Sequence, residues 1–276
     1  MSEVDMSKVN IDGVNIFYEV RGQGDPLVMI QGYGQYSLQW GSLPDELARQ
    51  YRVVLIDNRG TGRSDKPDAP MTIPMLAADV ARVLDALAMD KAHIFGVSMG
   101  GLIAQRFAIN YPQRVINLIL GCTFPGGEHH IQPPADGMRI LFDVGYLKSR
   151  SLEQLTLETF RFLCSDRFIE ENPEAYRYYH RVTLANPTPG YTYKHQAAAI
   201  AGEDTWDGLA DIRVPTMLIA GTSDRLVPCE NSELMSKQIP GAELVLLQDK
   251  RHGFYIEAIE PTRTFIDGFI KRHMPE

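Results

Sequence analysis

Six short runs of aliphatic and β-branched residues recur along the chain, at Pro26–Ile30, Arg52–Asp57, Ala92–Gly96, Val115–Gly121, Pro215–Gly221 and Glu243–Gln248. They lack apolar–polar alternation, which predicts strands buried on both faces, as in a parallel sheet covered by helices. The stretch from Val9 to Val20 around Asp12-Gly13 predicts a hairpin instead. Between the runs lie helical patterns. Pro74–Ala88 puts Leu76, Val80, Val83, Leu84 and Leu87 on one stripe, with Pro74 suited to a first turn. Gly100–Asn110 starts directly after its strand and stops before Tyr111-Pro112. Alternating β and α units predict an open, doubly wound α/β sheet, mostly parallel.

One region breaks the rhythm. From about Pro125 to Trp206 there is no strand-like run; Gly126-Gly127 and Pro133-Pro134 open it, and Asn186 to Gly190 interrupts it. Within it, Ser151–Ser165 carries Leu152, Leu155, Thr159, Phe162 and Leu163 at helical spacing, a packing stripe. The expectation is a helical cap, 125–206, inserted after the sixth strand of a core formed by 1–124 and 207–276. Its ordinary role would be a second structural layer. Its functional role would be a lid, because ligands of open α/β sheets bind beyond the carboxyl ends of the strands, where this insertion falls.

Composition narrows the partners. The 276 residues include 27 Lys and Arg against 35 Asp and Glu, a formal charge of −8. That balance repels phosphate backbones and anionic lipid, and no basic run offsets it, so nucleic acid and membrane surfaces are unsuited partners. Cys122, Cys164 and Cys229 are odd in number and scattered, and form neither a disulfide framework nor a CxxC metal site. Met1–Asn10 has no basic n-region and no apolar h-region, and the longest apolar runs are too short to span a bilayer. A cytoplasmic protein without cofactor or metal is the expectation. Nothing in the sequence sets an oligomeric state.

Gly96-Val97-Ser98-Met99-Gly100 lies between a predicted strand and a predicted helix. The G-x-S-x-G pattern is weak alone, but strand–turn–helix is the context it needs: flanking glycines permit a strained turn that exposes the Ser98 hydroxyl. The bland alternative is an N-capping serine. A serine hydroxyl needs a base to take its proton, and the base needs an orienting acid. Asp224 follows the run Pro215–Gly221 and His252 follows Glu243–Gln248, so both leave the sheet at the edge where Ser98 emerges. The order Ser98, Asp224, His252 suits this chemistry. Glu128 is the rival acid. His93 falls at the buried start of its strand and is expected to satisfy a local hydrogen bond. His129-His130 read as a solvated loop rather than a metal site, and His180 and His195 lie in the insertion. Two donors must face the oxyanion of an acyl-transfer intermediate. The expected pair are the backbone N–H of Met99 and one from the loop Gln31-Gly32-Tyr33-Gly34-Gln35, with Tyr33 as candidate. That loop is not a dinucleotide fingerprint, because Ser37 stands where the third glycine would be.

Together with the stretch Asp57–Ser64, these motifs resemble the α/β-hydrolase fold, and within it small capped esterases and lactonases of the 3-oxoadipate enol-lactonase-like group. The resemblance covers the sheet-forming parts. It implies a Ser98–His252–Asp224 triad, oxyanion donors at Tyr33 and Met99, and a structural turn at 57–64 in which Asp57 and Arg59 brace loops. The chain departs from the pattern at Gln31, where such proteins carry His; a Gln amide donating to a loop carbonyl is expected in its place. Ser98 stands where epoxide hydrolases and haloalkane dehalogenases carry Asp, which leaves acyl chemistry on a small ester or lactone. The alternatives are C–C bond hydrolysis or perhydrolysis on the same residues, and a ligand receptor that keeps a hydrolase core. In the insertion, Arg177 and Arg181 stand four apart on a predicted helix, as a clamp for a substrate carboxylate or as a solvated face.

Overall fold

The computed structural model describes residues 5–274, so the leader reading over Met1–Asn10 falls outside it for residues 1–4. One sheet holds β1 (Asp5–Ile11), β2 (Val14–Arg21), β3 (Pro26–Ile30), β4 (Arg52–Ile56), β5 (Ala92–Val97), β6 (Val115–Gly121), β7 (Thr216–Gly221) and β8 (Glu243–Leu247). Their order is β1-β2-β4-β3-β5-β6-β7-β8; β1 and β2 are antiparallel and the other six run parallel. The six parallel strands match the expected runs to within one residue at each end, but β8, at the sheet edge, is only partly buried, with Leu244 exposed. The hairpin is longer than expected, and it turns on Asp12 and Gly13 at φ of 50° and 87°, the left-handed pair that two-residue hairpins use.

Helices cover both faces: α1 (Leu43–Leu47), α2 (Ile73–Ala86), α3 (Met99–Asn110), α4 (Ala135–Phe142), α5 (Val144–Lys148), α6 (Leu152–Leu163), α7 (Asp166–Glu171), α8 (Pro173–Ala185), α9 (Gly190–Ala201), α10 (Trp206–Leu209), α11 (Glu230–Gln238), α12 (Phe254–Glu257) and α13 (Ile259–Arg272). The missing alternation in the strands has a direct cause. Val28, Ile30, Val54, Ile94 and Leu120 pack under α2 and α3. Their neighbours Leu27, Met29, Val53, Phe95 and Ile219 pack on the other face with Leu47 of α1 and Phe269 of α13. Each such buried aliphatic side chain adds roughly 1.5–3 kcal/mol over leaving it exposed. Thr72 caps α2 through Met75 N, with Pro74 in the first turn as expected.

Helices α4 to α9 all lie between β6 and β7, as predicted for an insertion after the sixth strand. Its two ends are zipped together: Gly126 bridges Asp204, Thr205 N donates to Pro125 O at 2.8 Å, and Arg106 of α3 pairs with Glu203. The expected stripe on α6 holds in part: Leu163 is buried and Leu155 and Phe162 pack against the core. Leu152 is exposed, while Thr156, Phe160 and Leu163 are the buried residues. Phe160 and Leu163 join the core cluster on the α13 face, and Phe160 packs on the Tyr176 and Tyr179 rings of α8. Among the described residues no helix is long and apolar enough to cross a membrane.

Candidate active site

Ser98 stands between β5 and α3 with φ 55° and ψ −125°, a conformation a non-glycine residue rarely holds. Its side chain caps nothing, which removes the N-cap alternative. The turn closes because its neighbours are glycines. A Cβ on Gly96 would meet Gly100 O at 2.1 Å, and one on Gly100 would meet Ile30 O at 2.1 Å. Gly121 O accepts from Ser98 N at 2.9 Å, and Thr123 Oγ1 donates to Ser98 O at 2.7 Å, so the strained residue is held on both sides.

Asp224, after β7, and His252, after β8, meet next to Cys122 at the end of β6. His252 Nδ1 lies 2.7 Å from Asp224 Oδ2, and both residues are buried. Asp224 Oδ1 accepts from Leu226 N at 2.7 Å and Val227 N at 2.9 Å, so the loop after β7 fixes the carboxylate before it touches the imidazole. Burial, the largest single influence, opposes a charge on His252, but Asp224 and Cys122 together raise its pKa well above the ordinary 6.5. On the far side of the ring, Nε2 faces Cys122 Sγ at 3.9 Å. Burial holds that thiol above its ordinary range, and so protonated. Ser98 Oγ forms no hydrogen bond among the described residues; in ligand-free sites the nucleophile–base contact is commonly long and tightens with substrate. Cys122, Asp224 and His252 bring ligand-type atoms within 4.8 Å of one another. The carboxylate is spent on Nδ1 while the sulfur faces Nε2, so the three do not converge on one ion.

The loop after β3 closes the site from the other side. A Cβ on Gly32 would sit 2.9 Å from Ser98 Cβ, so only glycine lets the loop approach the nucleophile. Tyr33 N donates to no acceptor among the described residues. Met99 begins α3, where the helix leaves its first N–H groups unpaired. Gln31 behaves differently from the expectation. Its Oε1 accepts from Gly32 N at 3.0 Å instead of its amide donating to a loop carbonyl, and its buried Nε2 has no partner. The carbonyl of Gln31 is instead bound by Asn58 Nδ2 at 3.0 Å. Asp57 braces this region as implied, accepting from Ser37 N at 2.9 Å and Arg63 N at 2.8 Å, and Arg59 grips Asp79 of α2 at 2.6 and 2.7 Å.

The rivals fall away from this centre. Glu128 is exposed. His93 is buried and takes Asn117 Nδ2 at 3.2 Å on Nδ1, and burial lowers its pKa to about 4. His129 and His130 are not a solvated loop: they stack on Trp206 and Phe124 at 4.1 and 4.0 Å. His195 pairs with Asp68 at 2.8 Å, and His180 lies 5.7 Å from the Tyr176 ring. Arg177 and Arg181 are exposed, the solvated face. Several residues carried no recognisable sequence signal. Cys122 follows the end of β6 and reaches the site by the same edge logic as Asp224, a positional clue that was available. Tyr179 of α8 and Tyr193 of α9 arrive only through docking of the cap: Gly34 N donates to Gln196 Oε1 at 2.8 Å and Tyr33 Oη to Tyr193 O at 3.1 Å.

Comparisons with known proteins agree with this architecture. A putative carbamate hydrolase, RutD, of Azorhizobium caulinodans is 31% identical over 87% of this chain and 89% of its own. 3-Oxoadipate enol-lactonase 1 of Acinetobacter baylyi is 28% identical over 96% of this chain and 98% of its own. Est816, solved as an N-acyl homoserine lactone degrading enzyme, superposes with a TM-score of 0.81 at 30% identity, over 95% of this chain and all of that one. The family model described as the alpha/beta hydrolase fold matches residues 25–259, and the chain belongs to the α/β-hydrolase family.

Proposed function

We propose that this enzyme is a serine hydrolase that cleaves a small carboxylic ester or lactone through an acyl-enzyme. Ser98 attacks the carbonyl, His252 takes the hydroxyl proton and returns it to the leaving oxygen, and Asp224 holds the imidazole in the tautomer that leaves Nε2 basic. The tetrahedral oxyanion sits between the N–H groups of Tyr33 and Met99, and the N-terminus of α3 favours the charge. Water, activated by the same imidazole, then releases the acid. The segment 125–206 is the lid and the rest of the chain the core. The observations that carry this reading are the buried His252–Asp224 pair at 2.7 Å and a serine held at φ 55° in the turn between β5 and α3. The relatives named as an enol-lactonase and a lactone-degrading enzyme support an ester or lactone as substrate.

The test is covalent trapping. A p-nitrophenyl alkylphosphonate is expected to inactivate the protein with one adduct on Ser98 by peptide mass spectrometry. Ser98→Ala is expected to lower kcat on short p-nitrophenyl esters by about three orders of magnitude or more. An unmodified Ser98, or undiminished turnover in the variant, overturns the reading.

A further inference from the structure

The loop after β3 runs against Ser98 at Gly32, where a Cβ would lie 2.9 Å from Ser98 Cβ. It then turns back, Gln35 N donating to Gly32 O at 3.2 Å, with Tyr33 and Gly34 at the corner and Gly34 at a φ of 68°. A positive φ at the second corner residue is what a type II turn requires, and types I and II differ by a flip of the peptide between the two corner residues. Three contacts from one cap segment hold that corner. Gly34 N donates to Gln196 Oε1 at 2.8 Å, Thr188 Oγ1 donates to Gly34 O at 2.8 Å, and Tyr33 Oη donates to Tyr193 O at 3.1 Å. Tyr193 and Gln196 belong to α9, and Thr188 precedes it. Both backbone groups of Gly34 are therefore bound by the cap, while the neighbouring Tyr33 N donates to no acceptor among the described residues. Gln196 is fully buried, and its amide can be turned only one way: the Gly34 N–H needs the oxygen. Its Nε2 then has no partner among the described residues, a cost that packing alone does not account for.

We infer that Gln196 is a positioning residue: its carboxamide oxygen sets the Tyr33–Gly34 peptide so that the Tyr33 N–H faces the oxyanion formed at Ser98, and the oxyanion site is complete only with α9 of the cap docked. The inference rests on the serine-hydrolase reading and names how the cap enters that chemistry. Gln196 acts through Gly34, not on the reacting atoms. In the flipped peptide the Tyr33 carbonyl would turn toward Gln196 Oε1, where two acceptors repel, so the glutamine favours one state and opposes the other. A donor displaced by about 1 Å from the developing charge loses about a hundredfold in rate.

Steady-state hydrolysis of p-nitrophenyl acetate tests this, together with inhibition by an alkyl trifluoromethyl ketone, which Ser98 would add to as a hemiketal anion. Gln196→Met keeps the side-chain length and removes the acceptor. It is expected to lower kcat about 10- to 100-fold with KM within about threefold, and to weaken the ketone by about the same factor as kcat/KM. Thr188→Val, which releases Gly34 O at a half-buried position, is expected to act in the same direction. A folded Gln196→Met variant with kcat within about threefold of wild type overturns the inference, as does one whose whole loss in kcat/KM is a rise in KM, because the residue then only docks the cap. If Gln196→Met does not fold, a Thr188→Val variant with wild-type kcat and ketone affinity overturns it. If the wild type turns over no ester and the phosphonate leaves Ser98 untouched, the serine-hydrolase reading fails instead.

Discussion

Replacing Asp224 by Asn tests the proposed relay with almost no change of shape. The wild-type carboxylate accepts three hydrogen bonds, from His252 Nδ1 at 2.7 Å, Leu226 N at 2.7 Å and Val227 N at 2.9 Å. The amide oxygen of Asn can keep the two backbone donors. Its NH2 group then faces Nδ1, which must become an acceptor, so the imidazole proton moves to Nε2 and the atom facing the nucleophile is no longer a base. A tautomer inversion of this kind lowers kcat by about 10⁴, or about 5.4 kcal/mol in the barrier. A second signature has its own sign. In the wild type the carboxylate raises the His252 pKa above 6.5 in spite of burial, so kcat/KM is expected to rise with pH through a midpoint above 6.5, where the imidazolium gives up its proton. With the Asp224 charge gone its raising effect is lost while burial still opposes the imidazolium, and the midpoint moves down. The assay is steady-state hydrolysis of p-nitrophenyl acetate across pH, with thermal unfolding to verify the fold. A folded variant within tenfold of wild-type kcat, or with an unmoved acid limb, refutes the reasoning.

The scaffold around the site gives further predictions. Arg59→Met strands the Asp79 carboxylate, whose side chain is 6% exposed, and is expected to destabilise by about 3–5 kcal/mol in urea unfolding. Adding Asp79→Asn is expected to recover part of that loss; no recovery would mean that the pair is not the source. Gly34→Ala places a Cβ 2.1 Å from Tyr193 Cε1 at a φ of 68°, and is expected to cost about 2–4 kcal/mol and push α9 off the loop after β3. A drop in melting temperature and in kcat/KM together would show that cap docking and loop geometry are one event. A loss of neither would show that the cap yields freely.

The parts of the molecule that were legible in the sequence are those whose geometry is local. Leu27, Val28, Met29 and Ile30 read as a doubly buried strand because alternate residues enter the two cores on opposite faces of the sheet. The elbow was legible because Gly96 and Gly100 are needed within four residues of each other, by contacts of 2.1 Å that any side chain would violate. Asp224 and His252 followed from the rule that parallel strands deliver their next loops to one edge. What was not legible depends on where the cap lands. The α6 stripe was right at Leu163 and wrong at Leu152, and it missed Phe160, which is buried against Tyr176 and Tyr179 of α8. His129 and His130 looked solvated because their partners Trp206 and Phe124 lie outside the immediate pattern.

The same division separates the relay from the cap. Ser98, Asp224 and His252, the residues proposed for the chemistry, follow strands of one sheet, so their positions follow from the core. The Gly34–Gln196 contact joins residues 162 apart across the core and the cap. No period or motif constrains such a pair, and its chemistry can change without disturbing a strand. If Gln196→Met lowers kcat at an unmoved pH midpoint while Asp224→Asn lowers kcat and moves the midpoint, the two layers act separately. If both variants move the midpoint alike, Gln196 serves the relay or the packing, and the loop after β3 is set by the core alone.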